Sequence, residues 1–506
     1  MSKKKVVIVG AGPGGLASGM ILAKRGFDVV IVERDSKVGG RTSELKLGDY
    51  SFDTGPTFLH QKFTLDETFA EVDRDPADYL DFVKLDPMTK LTWGEKSLET
   101  TFNQEVMAKN IEEAFPGNSE GYRRFMREQG EKLQKIYPVL QMPYHSITSY
   151  MRKDLLKVVP YIATTNTVVD VLDRYFPDDN LKLAFTFQSK YLGMSPWKCP
   201  ALFTILSYTE YKYGIYHTQG GLCKIPEAMA KIFDEEGGDL RLNAPVDEVI
   251  FNGTQAVGVK LESGEEIKAD YVIMNADYAH AMNTLMNGFS KSKEKLESKK
   301  YSCSTFMLYL GLDTIYEEEP HHHIMFADNY EKNINEISGE KVVSDDMSIY
   351  VRNSSITDKT VAPDGHSQLY ILVPTINCRH GMDWEETKQM YRDKVLERLE
   401  QRTSMKDLRD HIVEEAVYTP DTWRDNGVFM GATFNLAHTI DQMLYFRPHN
   451  KLKGYKNLFL VGGGTHPGSG LPTILESARI SSNLICDAEK VPTPKIDIAE
   501  KVLIFD

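Results

Sequence analysis

Two glycine-rich turns, one near each end of the chain, constrain the fold more than anything between them. The first follows a short apolar run, Lys5-Val-Val-Ile-Val9, which leads into Gly10-Ala-Gly12-Pro-Gly-Gly15-Leu. A strand entering a GxGxxG turn and leaving in a helix lets a diphosphate approach the backbone and rest on the helix N-terminus. Such a site needs an acidic residue at the end of the next strand to hold ribose hydroxyls, and Phe27-Asp-Val-Val-Ile-Val-Glu33 ends in one. A lone GxGxxG is a weak signal. Here strand, glycines, helix pattern and Glu33 agree, and they predict a dinucleotide site on a Rossmann-like α/β domain. The second turn, Gly462-Gly463-Gly464-Thr-His-Pro-Gly468-Ser-Gly470, follows an apolar strand, Leu458 to Val461, and precedes a helix expected from about Pro472 to Cys486. It is the expected closing half of the site, with Gly463, Gly464, Gly470, Leu471 and Pro472 facing the diphosphate or the ring.

NAD and FAD are separated by the residues after Glu33. Val38-Gly39-Gly40-Arg41 lets the backbone run close to a flavin diphosphate with a cation beside it, and Phe52-Asp53-Thr54-Gly55-Pro56-Thr57 is a further turn of small residues. Each piece alone reads equally as a surface turn. In this order they favour FAD, held by Gly10, Gly12, Gly15, Glu33, Gly39, Gly40, Arg41, Gly55, Pro56 and Thr57.

These motifs, with Pro116-Gly-Asn-Ser-Glu-Gly121-Tyr122, Gly220-Gly221 and Arg447-Pro-His-Asn450 ahead of Gly464-Thr-His-Pro-Gly468, resemble the bacterial phytoene desaturase family. The likeness runs from about Lys5 to about Asp487. It implies a fold of the amine-oxidase and GDP-dissociation-inhibitor type, with a discontinuous FAD-binding domain over 1–85, 216–299 and 416–487. A helical substrate and membrane-facing region over 86–215, a substrate-domain sheet over 300–415 and a tail over 488–506 complete the expected organisation. By the same analogy the Val246 backbone contacts adenine, and Asn275-Ala276 lies at the outer edge of the flavin domain. The implied activity is FAD-dependent desaturation of a C40 or C30 polyisoprene, with oxygen or a membrane quinone as electron acceptor. Arg152 falls at the family's flavin-facing arginine, but Ser149 stands where several relatives carry an acid; Asp154 is the nearby substitute, and His466 is the other catalytic candidate.

Composition accommodates this reading. The 506 residues, 41% of them hydrophobic, prompt two or three domains, and a net charge of −14 argues against nucleic acid. Five scattered cysteines without CxxC spacing favour free thiols in a reducing cytosol. No run approaches the ~18–20 apolar residues of a membrane span. The stretch from Tyr137 to Tyr161 mixes apolar residues with Arg152, Lys153 and Lys157, a pattern for peripheral attachment to the cytoplasmic membrane, although an ordinary packed helix reads the same way. Aromatics from Phe185 to Tyr216 fit either plain core or a hydrocarbon site. His321-His322-His323 precedes a strand, where alternating faces prevent convergence on one ion, so no metal is expected. A carotenoid oxidase or isomerase, a flavin amine oxidase and a non-enzymatic prenyl-binding protein remain as alternatives.

Overall fold

The computed structural model describes residues 3–144, 158, 161, 165–286, 293–340 and 342–503. A five-stranded parallel sheet runs in the order Leu458–Leu460, Tyr271–Met274, Lys5–Val9, Asp28–Val32, Asp239–Arg241. Alternating side chains divide it cleanly. Val6, Ile8, Val29, Ile31 and Phe459 join a core built with the helices Pro13–Lys24, Lys224–Glu235 and Leu471–Glu489. Val7, Val30, Val32, Val272 and Leu460 face a three-stranded antiparallel sheet, Val246–Asn252, Gln255–Leu261 and Glu266–Lys268. Both faces are covered, which is why these strands read as unbroken apolar runs.

A second, seven-stranded sheet runs Ile412–Tyr418, Ser304–Leu312, Ser367–Thr375, Ile349–Asn353, His322–Met325, Thr89–Trp93, Lys96–Thr100. Phe306, Leu308, Leu310, Leu369, Ile371 and Val373 pack beneath the helix Trp384–Arg402. The other face, carrying Met307, Tyr309, Tyr350 and Tyr370, belongs to the larger core shared with the helical region. The hairpin Thr89–Trp93/Lys96–Thr100 departs from the helical expectation for 86–215: its polar residues alternate with Leu91, Trp93 and Leu98, and it extends the sheet by pairing parallel to His322–Met325.

The 22-residue helix Ser119–Leu140 buries Lys132, whose Nζ donates to Ala201 O at 2.7 Å and Thr204 Oγ1 at 3.0 Å. Burial pulls its pKa down to about 7. Between that value and the usual ~10.4 of an unfolded lysine the unfolded chain binds more protons, so stability should rise with pH across this window. Lys132→Met should flatten that slope in denaturation midpoints measured from pH 7 to 10.

Candidate flavin site and apolar cavity

Lys5–Val9 leaves the sheet through Gly10, whose φ of +101° only glycine adopts without strain. Gly10 N donates to Val32 O at 2.8 Å and Gly39 N to Ala11 O at 2.9 Å, tying the two turns together. A Cβ on Gly40 would lie 3.7 Å from Gly12 Cα, so these backbones face each other with nothing between. A Cβ on Gly15 would collide with the Gly10 carbonyl, and one on Gly14 would come within 2.6 Å of Val461 Cγ1. Asn275 closes the underside: its Nδ2 donates to Gly10 O at 3.1 Å. It therefore stands against the first glycine turn and not at the outer edge, as the family analogy implied.

Glu33 is buried, and its carboxylate accepts from Ala11 N at 2.7 Å and Asp35 N at 3.0 Å. Burial raises its pKa while those two N–H groups oppose the rise. Next to it, Ala244 N donates to Glu33 O at 2.8 Å, and Val246, partly buried, begins its strand two residues further on.

Arg41 connects the two glycine turns. Its Nη1 donates to Thr433 O at 3.0 Å, and Asn435, with its amide oxygen toward Arg41, donates from its nitrogen to Asp277 Oδ2 at 2.7 Å. Gly463 lies so close to Asn435 that an added Cβ would be 2.6 Å from its side-chain amide, and Gly464 stands in the same relation to Tyr278 Cβ. The loop is braced from behind by fully buried Arg447, which donates from Nη2 to Gly463 O at 2.6 Å and from Nε to Thr465 O at 3.0 Å. Burial lowers the Arg447 pKa to about 9, which leaves the guanidinium charged at neutral pH. Asn450 adds a bond from Nδ2 to His466 O at 3.1 Å. The Arg447–Asn450 segment thus holds the loop and does not line the cavity described next.

That cavity, of about 320 Å³, begins at Arg41, Gly55, Pro56, Thr57, Gly470, Leu471 and Pro472 and continues between the seven-stranded sheet and the helical region. Its walls include Phe187, Met194, Leu206, Met307, Leu372 and Trp423. Two tyrosines on neighbouring strands shape the junction: Tyr309 donates to Thr54 O at 2.6 Å and Tyr370 to Gly55 O at 2.7 Å. The Tyr350 hydroxyl lies 2.8 Å from Thr57 Oγ1 and 2.9 Å from His322 Nδ1. None of these tyrosines carries a local sequence signal beyond the absence of polar alternation in its strand. The neighbouring histidines diverge: His323 Nδ1 meets Glu319 Oε2 at 2.9 Å, and His321 meets Thr357.

His466 stands on the closing loop, two residues after Gly464. It is buried outside the cavity lining, with Nε2 donating to Met142 O at 3.0 Å. Burial pushes its pKa down to about 3, so it carries no exchangeable charge at neutral pH. Its bonds are those of a loop support. Arg152 and Asp154 lie outside the described residues.

The donor set fits FAD. Two helix N-termini, at Pro13 and Leu471, open on side-chain-free turns where a diphosphate meets backbone N–H groups, and Glu33 is placed to accept from ribose hydroxyls. Residues 13–486 match the family model described as flavin containing amine oxidoreductase. A 4,4'-diapophytoene desaturase (4,4'-diapolycopene-forming) from Methylomonas sp is 47% identical over 492 residues, spanning 96% of each chain. An all-trans-zeta-carotene desaturase from Myxococcus xanthus is 37% identical over 505 residues, covering 97% of this chain and 95% of that one. Among solved structures, an oxidoreductase from Methanosarcina mazei superposes with a TM-score of 0.61 at 16% identity, covering 94% of this chain and 99% of its own, a likeness of fold alone.

Proposed function

From a chain that belongs to the flavin-containing amine oxidoreductase family and, within it, to the bacterial phytoene desaturases, we propose an FAD-dependent desaturase of a linear polyisoprene, with a C30 precursor as its substrate. The observation that carries this reading is the apolar cavity continuous with the flavin cradle. Each CH₂ buried there favours binding by about 0.8 kcal/mol, so a long hydrocarbon needs no charged anchor. The C30 preference is supported by the 47% identity to a desaturase named for diapophytoene.

Bound FAD supplies the two-electron acceptor for loss of two hydrogens from adjacent carbons. The protein's share is placement. Tyr309 and Tyr370 fix the carbonyls of Thr54 and Gly55, the Arg41–Asn435–Asp277 chain fixes the facing loop, and the apolar walls exclude water from the reacting carbons. Purified protein mixed anaerobically with diapophytoene in liposomes should lose flavin absorbance while polyene absorbance appears. The same outcome with phytoene only would move the substrate to C40. Bleaching by amines, or oxygenated product from an already conjugated carotene only, would end the desaturase reading. Oxygen or a membrane quinone then reoxidises the flavin. Arg152 remains the proposed flavin-facing cation, and Arg152→Ala should slow bleaching at least tenfold at unchanged flavin content, as loss of a positioning group does.

Among the described residues no helix is long and apolar enough to cross a membrane. Peripheral attachment through the cationic stretch near Arg152 is the proposed route by which a lipid-soluble substrate arrives. Lys153→Glu with Lys157→Glu should weaken co-sedimentation with anionic liposomes, most at low salt, because each cation near such a surface contributes about 1 kcal/mol. Unchanged sedimentation would remove this stretch from the membrane contact.

A further inference from the structure

The cavity wall is largely apolar, and within it a carboxylate and an imidazole are set side by side. Glu210 stands on the helix Thr204–Tyr213 and His60 follows the cradle turn Gly55-Pro56-Thr57; both line the cavity that opens at Arg41 and Gly470. Glu210 is 1% exposed, and a charge buried so deeply is costly unless it is paired and hydrogen-bonded. Gln188 Nε2 donates to Glu210 Oε1 at 3.1 Å, and Ser207 Oγ steadies that amide by donating to Gln188 Oε1 at 3.1 Å. The second oxygen, Oε2, lies 3.7 Å from His60 Nε2. The imidazole is stacked on Phe58, centroids 5.4 Å apart at 14°, so its plane is fixed as well.

We propose that Glu210 and His60 act together as the proton acceptor of the desaturation. The step balances as follows. One C–H bond of the substrate's CH₂–CH₂ unit breaks with its electron pair, and that hydrogen and pair go to bound FAD, the two-electron oxidant. The adjacent carbon loses H⁺ to the His60–Glu210 pair, and the electron pair of that second C–H bond becomes the new C=C bond. The proton passes from the pair to solvent. Burial lowers the His60 pKa to about 4, so the ring is neutral and has a lone pair to offer. An allylic cation is a strong carbon acid, so a weak base beside it is sufficient, and the neighbouring carboxylate stabilises the imidazolium that forms.

This rests on the desaturase reading, which the wild-type bleaching experiment tests by itself: no bleaching by polyene overturns both. Given bleaching, Glu210→Gln, His60→Asn and the double variant are compared as FAD holoenzymes for flavin content, polyene binding, anaerobic bleaching rate and product identity. We expect flavin content and polyene binding within about twofold of wild type, with bleaching slowed about 10²-fold, the typical contribution of a positioned base. The double variant should be little slower than the worse single one, since groups acting as a unit are not additive. Bleaching of the double variant within threefold of wild type would overturn the proposal. So would a rate loss matched by lost flavin or lost polyene binding, which would make the pair architectural.

Discussion

Gly15→Val should yield folded protein with less than about a tenth of the wild-type flavin, because a dinucleotide diphosphate must lie against bare backbone at this turn. The reason is local and steric. A Cβ at Gly15 is directed at the Gly10 carbonyl and lies 2.8 Å from Asn275 Nδ2. Gly10 cannot retreat easily, since its N–H is held by Val32 O at 2.8 Å and its carbonyl by Asn275 at 3.1 Å. The conflict is relieved only by moving the turn into the space of the diphosphate or by lifting the helix Pro13–Lys24 off its start. Ser18→Ala, one turn further along the same helix, is the control: its buried hydroxyl has no hydrogen-bond partner among the described residues, and its removal should leave flavin content unchanged. Flavin absorbance per protein after purification decides the matter. Retention of full absorbance by Gly15→Val would mean that the cofactor lies elsewhere.

What made this turn legible in the sequence is that its constraints are short-range. A strand, three spaced glycines and an acid one strand later all act within residues 5–33. Glu33 meets Ala11 N–H as a contact of that range. Asn275 is different: its partner Gly10 is 265 residues away, and nothing in Met274-Asn275-Ala276 announces a bond to a glycine turn. Arg447 belongs to a readable motif, yet its partners are carbonyls, which any residue supplies, so the motif does not announce the brace that the structure shows. His466 likewise meets a backbone carbonyl, that of Met142, 324 residues away. The cavity was half-legible. Ser304–Leu312 shows no polar alternation, as a strand buried on both faces must, but only the sheet decides that Met307 faces the cavity while Phe306 and Leu308 face a helix. The hairpin Thr89–Trp93/Lys96–Thr100 carried a signal that was overlooked, alternation on either side of Gly94, whose φ is +57°.

The largest stability effect is expected where the cradle meets the second sheet. Asp53 ends the strand Tyr50–Asp53 and precedes Gly55 by two residues; Arg352 lies in Ile349–Asn353. Arg352 Nη1 donates to Asp53 Oδ2 at 2.6 Å, with both side chains at most 1% exposed. Asp53 also accepts from Leu222 N at 3.1 Å and Cys223 N at 2.8 Å, while Arg352 Nη2 reaches His217 Nδ1 at 3.2 Å. His217 in turn meets Asp358 Oδ2 at 2.8 Å, and that oxygen also accepts from Gly220 N at 2.7 Å. One charge pair thus joins the flavin cradle, the sheet and the turn ahead of Lys224–Glu235. Arg352→Met removes the cation and leaves the carboxylate buried, which should cost about 3–5 kcal/mol. Asp53→Asn added to it removes the stranded charge; Leu222 N and Cys223 N meet different oxygens, so the amide keeps an acceptor for one of them, and the double variant should be more stable than Arg352→Met alone. Denaturant midpoints of the wild type, both single variants and the double variant measure the coupling. Additive losses would show that Asp53 is satisfied by its backbone partners and that Arg352 contributes only packing. Flavin content should follow the same order, because Asp53 stands two residues ahead of Gly55 at the mouth of the cavity.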